Sequence, residues 1–215
     1  MTIAIGEIIK NGVMFDVKNW NSEIYKAEDL PATVASLFAL LESRNIRYLV
    51  VGAVALLSYV AGRNTQNIDF ILTEEELAAM PEITARAKNR DVVRGLFKNL
   101  HVTLLLTNNP FFAQVRKNYT TERMFGEQTI RCVTVEGLLL LKLYALPSLY
   151  RQRQFDKLGL YECDITILLL NYPALKPPML LKVLVPHLLA TELQEIQASL
   201  NDIQGRLNRF KSFQA

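Results

Sequence analysis

The sequence lacks the features that mark several specialised classes of protein. Its two cysteines, Cys132 and Cys163, are far apart and match neither a metal-binding spacing nor a dense disulfide framework. The N-terminus has no basic start followed by an apolar run, so we expect no signal peptide. The longest uncharged apolar stretch, Tyr48–Gly62, is shorter than the roughly 20 residues that a membrane helix needs. These absences predict a cytoplasmic protein in a reducing compartment, with no membrane partner.

The chain also lacks a strong excess of either charge. Lys and Arg number 24 against 21 Asp and Glu, a net charge of +3. That balance is too mild to indicate a nucleic-acid-binding protein by itself, because such domains are usually strongly basic. One basic segment does occur, at residues 86–98, and it contains Arg86, Lys88, Arg90, Arg94 and Lys98. Because such runs are usually the solvated face of a helix, nucleic acid is a weakly supported partner.

The pattern of apolar residues predicts an α+β protein with a small mixed sheet flanked by helices and a helical C-terminal part. Half of the 215 residues are hydrophobic, which suffices for a sizeable core. Pro31 opens a helical pattern, and Thr73 followed by three glutamates predicts a helix N-cap. Short apolar runs predict strands at 48–51, 68–72, 100–106 and 131–135, and helical patterns follow at 137–149 and 161–171.

These patterns divide the chain into three segments. We predict an N-terminal extension at 1–30, a core at 31–135 and a helical C-terminal region at 136–215. In the first segment, Asn11-Gly12 between apolar runs indicates either a β-hairpin or a short helix that ends at Gly12. The sequence leaves these two interpretations open.

The last segment has an apolar residue every three or four positions over three heptads. The members of this seam are Leu189, Leu193, Ile196, Leu200, Ile203, Leu207 and Phe210. A period of 3.5 residues is typical of a coiled coil, here over 187–211. Two interpretations are open: a terminal helix that lies on its own core, or a 189–210 helix that binds a second copy or another protein to form an oligomer.

The strongest functional signal lies between Tyr48 and Leu72. An apolar strand runs into Gly52, a helix follows, and a second strand carries Asn67 and Asp69 two positions apart. Residues two apart on a strand project from the same face. Carboxylates so placed would share Mg²⁺ ions with the phosphates of a nucleotide, and Gly52 would let the backbone approach those phosphates. The layout therefore predicts a nucleoside triphosphate site.

The stretch GAVALLSYVAGRNTQNIDF resembles the signature of the nucleotidyltransferase superfamily, which has a polymerase-beta-like fold. It is most similar to the bacterial branch that includes the AbiEii-like toxin enzymes. The matching residues are Gly52, Ala55, Leu56, Arg63, Thr65, Ile68 and Asp69. The resemblance implies an α/β-type nucleotidyltransferase core at 31–135 and catalytic positions at Asp69, Asn67 and Thr103. The nucleotide-binding positions that it implies are Gly52, Ala53, Arg63, Thr65 and Lys142.

The chain departs from this family at the residues that decide the chemistry. Asn67 stands where the family has its first metal-binding carboxylate, and Thr103 stands where it has the third, so only Asp69 remains as a metal ligand. Hard divalent ions are held by the charge and number of their ligands, so we expect Mg²⁺ binding to be weak or absent. His101 is set aside as a substitute ligand because we place it on the opposite face of its strand from Thr103.

Two functions are consistent with these residues. The first is a catalytically impaired nucleotidyltransferase-fold protein, a pseudoenzyme that binds a nucleotide, a protein partner or both, with Arg63 as the ion-pair partner of Asp69. The alternative is an active metal-dependent nucleotidyltransferase. It would move a nucleoside monophosphate from a triphosphate to a protein, an RNA or a small-molecule acceptor.

Overall fold

A computed structural model describes residues 3–14, 16, 28–61, 65–125 and 128–212. The chain divides into two compact units, Met1–Thr134 and Val135–Ala215. The division at 30 and 135 given by the sequence patterns stays a prediction. No helix within the described residues is long and apolar enough to cross a membrane.

The described part of the first unit is built on a mixed sheet of seven strands in the order β3-β4-β5-β2-β1-β7-β6. The strands are β1 (Leu49–Val51), β2 (Asn67–Leu72), β3 (Ile83–Lys88), β4 (Val92–Phe97), β5 (Leu100–Leu106), β6 (Thr120–Phe125) and β7 (Gln128–Val133). Strand β2 is parallel to β5, β1 is parallel to β7, and the other neighbours are antiparallel. The predicted α+β class and mixed sheet are confirmed.

The helices of the first unit follow local sequence signals. They are α1 (Ile3–Met14), α2 (Leu30–Ser43), α3 (Gly52–Leu57), α4 (Glu74–Ala78) and α5 (Pro110–Asn118). Pro31 lies in the first turn of α2, as predicted. Thr73 caps α4 in a capping box with Glu76, also as predicted. The hairpin interpretation of Asn11-Gly12 is wrong, because both residues lie inside α1, which packs against α2.

Aromatic packing on one face of the sheet fixes which way β2 presents its side chains. The Phe70 ring meets Tyr48 edge-on at a centroid distance of 5.6 Å and Phe38 at 6.0 Å. Phe38 and Phe70 are fully buried, and burial raises the pKa of Tyr48 to about 12. Because side chains alternate along a strand, Asp69 projects from the opposite face.

The basic segment at 86–98 forms the β3–β4 hairpin at one edge of the sheet, so its prediction as a helix face was wrong. Buried Val93, Gly95 and Phe97 alternate with exposed or half-buried residues, which is the two-residue period of a strand. The Asn89 side chain accepts hydrogen bonds from the backbone N–H groups of residues 91 and 92, and these bonds stabilise the turn.

The second unit is helical in its described part. Its elements are α6 (Val135–Arg151), α7 (Phe155–Asn171), α8 (Pro177–Leu184), the 3₁₀ turn Val185–His187 and α9 (Ala190–Ser212). The central seam residues Ile196, Leu200 and Ile203 are almost fully buried, and α9 packs against α6, α7 and α8. Leu189 and Phe210, at the two ends of the seam, are exposed. This burial favours the interpretation of a terminal helix on its own core, and a partner for α9 stays a prediction.

Candidate functional site

Strands β2 and β5 place the three predicted catalytic residues side by side. Their parallel register sets Asp69 opposite Thr103 and Asn67 opposite His101. Residues opposite each other on neighbouring strands share a face of the sheet. Asn67, Asp69 and Thr103 are half-buried, whereas their neighbours Ile68 and Phe70 are buried in the core. A polar cluster therefore lies on one face of an otherwise apolar sheet.

The amide of Asn67 is hydrogen-bonded inside this cluster. Its Nδ2 donates to Asp69 Oδ1 at 2.6 Å and lies 3.4 Å from Thr103 Oγ1. Its Oδ1 lies 3.4 Å from the hydroxyl of the buried Thr65, which itself donates to the Asn67 backbone carbonyl at 3.0 Å. The donor end of the amide therefore faces the carboxylate, and the oxygen that would ligate a metal faces Thr65.

Gly52 lies against the carboxylate of Asp69 at the start of α3. Its φ is +68°, in the left-handed region that glycine adopts without strain. A Cβ at this position would lie 1.8 Å from Asp69 Oδ2, which leaves no room for a side chain. Ala53, the next predicted nucleotide-binding residue, is half-buried in the first turn of α3. The glycine is therefore required by the carboxylate beside it, which the sequence alone did not reveal.

Solved structures identify this arrangement of strands and helices. An antigenic nucleotidyltransferase-like protein from Paracoccidioides brasiliensis is 19% identical, with a TM-score of 0.52 over 86% of this chain and 91% of that chain. The chain has a nucleotidyltransferase-like fold. The likeness shows the fold, so the AbiEii-like branch stays a prediction.

Two structures of ANT(2")-Ia are also similar to the nucleotidyltransferase-like chain. One is a complex with adenylyl-2"-tobramycin, at 9% identity and a TM-score of 0.48 over 82% of this chain and 97% of that chain. The other is a solution structure, at 11% identity and a TM-score of 0.47 over 85% and 96% of the two chains. No protein-family model and no curated protein matches the sequence.

Two further polar residues of this nucleotidyltransferase-like fold, His101 and Arg94, lie on the same face of the sheet as Asp69. The prediction that His101 lies on the opposite face from Thr103 is wrong, because residues two apart on a strand share a face. Arg94 of β4 stands opposite Thr103 in the antiparallel β4–β5 register and is exposed. The two-residue alternation along β5 indicates the position of His101, but Arg94 requires knowledge of which strands pair.

Two other nucleotide-binding residues, Arg63 and Lys142, are implied by the resemblance. Arg63 lies outside the described residues, and so does its predicted ion pair with Asp69. Lys142 lies in α6 of the second unit, where its side chain is buried. Its ammonium pairs with Asp164 at 2.6 Å and lies 4.1 Å from the centre of the Tyr161 ring. The predicted nucleotide-binding role of Lys142 stays a prediction.

The side chains at the site do not fit a two-magnesium centre. Mg²⁺ prefers oxygen ligands in octahedral geometry and is usually held by one or two carboxylates together with phosphates. Among the described residues of the cluster, the oxygen donors are the carboxylate of Asp69, the hydroxyl of Thr103 and an amide oxygen directed at Thr65. Among the described residues, no group of three or more His, Cys, Asp or Glu side chains is placed to hold a metal ion.

Proposed function

We propose that this protein binds a nucleoside phosphate on the face of the sheet that carries Asp69, and that it has little or no nucleotidyl-transfer activity. The observation that carries this proposal is the 2.6 Å hydrogen bond from Asn67 Nδ2 to Asp69 Oδ1. In this hydrogen bond, the neutral amide of Asn67 contacts the Asp69 carboxylate oxygen that a divalent cation would otherwise contact. The nucleotidyltransferase-like fold supports the choice of a nucleotide as the ligand.

Ligand charge decides how far metal-dependent transfer is impaired. Changes in the groups that merely orient metal ligands already cost about 10–100-fold in affinity or activity. Asn67 and Thr103 replace two charged ligands with neutral ones, so the loss is larger than that range. The protein is therefore expected to act by binding a nucleotide, a protein partner or both.

The first experiment measures binding and transfer separately. Titration calorimetry with the triphosphates of the four bases, in EDTA and in Mg²⁺, is expected to give a dissociation constant that Mg²⁺ changes little. Incubation with triphosphates labelled at the α-phosphate, with protein and RNA acceptors, is expected to transfer no label. Transfer that Asp69→Ala abolishes would contradict the proposal and establish the active enzyme as the function.

A gain-of-ligand variant tests the same argument in the opposite direction. Asn67→Asp with Thr103→Asp is expected to be less stable than wild type in EDTA, because the substitution replaces a charge-assisted hydrogen bond of about 1.5–3 kcal/mol with carboxylate repulsion. Mg²⁺ at about 100 times its Kd would return about 2.7 kcal/mol. Differential scanning calorimetry with and without Mg²⁺ measures both effects.

The matched control is Asn67→Ala with Thr103→Ala, which removes the same polar contacts without adding charge. Its melting temperature is expected not to respond to Mg²⁺. A wild-type protein stabilised by Mg²⁺ as strongly as the double-aspartate variant would show that the ligand argument is wrong.

A further inference from the structure

A row of three side chains crosses the site on adjacent strands. Asp69 of β2 stands opposite Thr103 of β5, and Thr103 stands opposite Arg94 of β4. Because residues in register share a face, the three side chains project from the same side of the sheet. Neighbouring strands are about 4.8 Å apart, so the backbones of Asp69 and Arg94 are separated by about 10 Å. One end of the row is acidic and the other is basic.

Arg94 has no ion pair and no side-chain hydrogen bond within the part of the chain that the structure describes, and it is exposed. Three other basic residues of the hairpin are engaged: Lys88 lies 3.5 Å from Glu74, Arg90 lies 3.9 Å from Asp91, and Lys98 donates to Ser36. Arg86 is also exposed, but it lies at the β-bulge of the edge strand and outside the row. Among the described residues of the hairpin, Arg94 is therefore the guanidinium that extends the polar cluster.

Electrostatics orient an anionic ligand along this row. Without a bound cation, a phosphate placed about 4 Å from the Asp69 carboxylate is repelled, since like charges at that separation interact strongly near a protein surface. A guanidinium attracts phosphate and matches two of its oxygens with parallel N–H groups. Asp69, by contrast, suits the neutral hydroxyl or amino donors of a nucleoside. The energetically favourable orientation of a bound nucleotide therefore places its phosphates at Arg94 and its nucleoside near Asp69.

We propose that Arg94 binds the phosphate groups of the nucleotide and sets its direction on the sheet, with the phosphates toward β4. This inference rests on the proposed nucleotide binding and adds a specific residue and an orientation to it. Thr103, between the two ends of the row, offers a hydroxyl to the same ligand. The guanidinium of Arg94 then supplies part of the positive charge that metal ions would supply to the phosphates in a site with more carboxylates.

The test compares Arg94→Ala with Arg86→Ala, which removes the same charge from the same hairpin outside the row. The probes are adenosine, AMP, ADP, ATP and inorganic tripolyphosphate, with the other three bases in parallel, in EDTA at about 0.15 M ionic strength. Both arginines are exposed, and surface substitutions usually leave the stability unchanged, so both variants are expected to fold. Calorimetry gives each dissociation constant.

Arg94→Ala is expected to weaken triphosphate and tripolyphosphate binding about tenfold or more, because hydrogen bonds to charged groups contribute at least that factor. Binding of adenosine is expected to stay within about twofold of wild type, and Arg86→Ala is expected to bind every probe like wild type. Arg94→Lys keeps the charge but loses the bidentate geometry, so it should lie between wild type and Arg94→Ala.

Each of the remaining outcomes overturns the inference. Equal losses in Arg94→Ala and Arg86→Ala would show a general attraction of the hairpin for anions. No loss in Arg94→Ala, with nucleotide binding intact, would show that Arg94 is an ordinary surface charge while the proposed function stands. If the wild-type protein binds none of the probes, the proposed function fails and the inference fails with it.

Asp69→Asn tests the direction of the ligand independently. If the phosphates lie toward β4, removal of the Asp69 charge should change triphosphate and nucleoside affinities by a similar factor. This is because charges farther apart than the Debye length of about 8 Å are largely screened at this ionic strength. If the phosphates lie beside Asp69, the same substitution should tighten triphosphate binding relative to nucleoside binding, which would contradict the inferred orientation.

Discussion

Replacement of Gly52 with alanine is expected to destabilise the first unit by about 3–5 kcal/mol. A non-glycine residue in the left-handed region costs about 1–2 kcal/mol, and the φ of Gly52 is +68°. The new Cβ would lie 1.8 Å from Asp69 Oδ2 and 2.7 Å from its Cγ. Asp69 must therefore move, and the charge-assisted hydrogen bond from Asn67, of about 1.5–3 kcal/mol, is lost.

Chemical denaturation followed by circular dichroism measures this effect, with Gly205→Ala as the matched control. Gly205 lies inside α9, and a Cβ built there meets no atom within 4 Å. The same glycine-to-alanine change is expected to stabilise that helix by about 0.5–1 kcal/mol. The two substitutions therefore have opposite signs, and equal effects from both would contradict the local explanation at Gly52.

A double-mutant cycle separates the clash from the backbone strain. Asp69→Ala removes the atoms that the new Cβ would meet, so Gly52→Ala should cost less in the Asp69→Ala background than in wild type. The remaining cost is the strain of the left-handed backbone. An interaction energy near zero would mean that the alanine side chain avoids Asp69 by a shift of α3.

The sequence predicts the central strands and the helix starts better than the edges of the sheet. Strands β1, β2 and β5 contain apolar runs, and β7 ends in the buried pair Cys132 and Val133, because these strands are covered on one face or both. Strands β3 and β6 lie at the two edges and are mostly exposed, so they carry almost no apolar signal, and β4 is interrupted by Arg94 and Gly95. Local chemistry, by contrast, sufficed for the capping box at Thr73 and Glu76.

At the candidate site, too, some features follow from local sequence spacing and others depend on contacts between distant parts of the chain. Spacing alone predicts that Asn67 and Asp69 share a face, because both lie on one strand. The hydrogen bond between them, and the contact of Asp69 with Gly52, depend on rotamers and on the path of the chain into α3. The position of Arg94 depends on the pairing of β4 with β5, which no local pattern encodes.

Removal of one partner of the buried ion pair between Lys142 and Asp164 is expected to destabilise the second unit by about 3–5 kcal/mol. The two side chains are 5% and 2% exposed, so a single substitution leaves an uncompensated charge in the core. Lys142→Met also loses the contact with the Tyr161 ring, whereas Asp164→Asn keeps it. Denaturation in urea measures the loss in each variant.

The double variant Lys142→Met with Asp164→Leu is expected to recover most of that stability, because apolar residues of similar volume often replace a buried ion pair at little cost. The exposed pair of Arg206 with Asp202, at 3.3 Å, provides the comparison. Asp202→Asn should change the free energy of unfolding by less than about 1 kcal/mol, as is usual for surface pairs. A double variant as unstable as the single ones would show that the charges themselves are required.

The same double variant decides what Lys142 does in this protein. The ammonium of Lys142 already donates a hydrogen bond to Asp164. If the pair serves only the structure of the second unit, the double variant should bind the nucleotide within about twofold of wild type. The role implied by the family resemblance predicts the opposite: a folded double variant that no longer binds the nucleotide. Because stability is restored in the double variant, calorimetry on it measures the contribution of Lys142 to binding without the loss of folding that either single substitution would introduce.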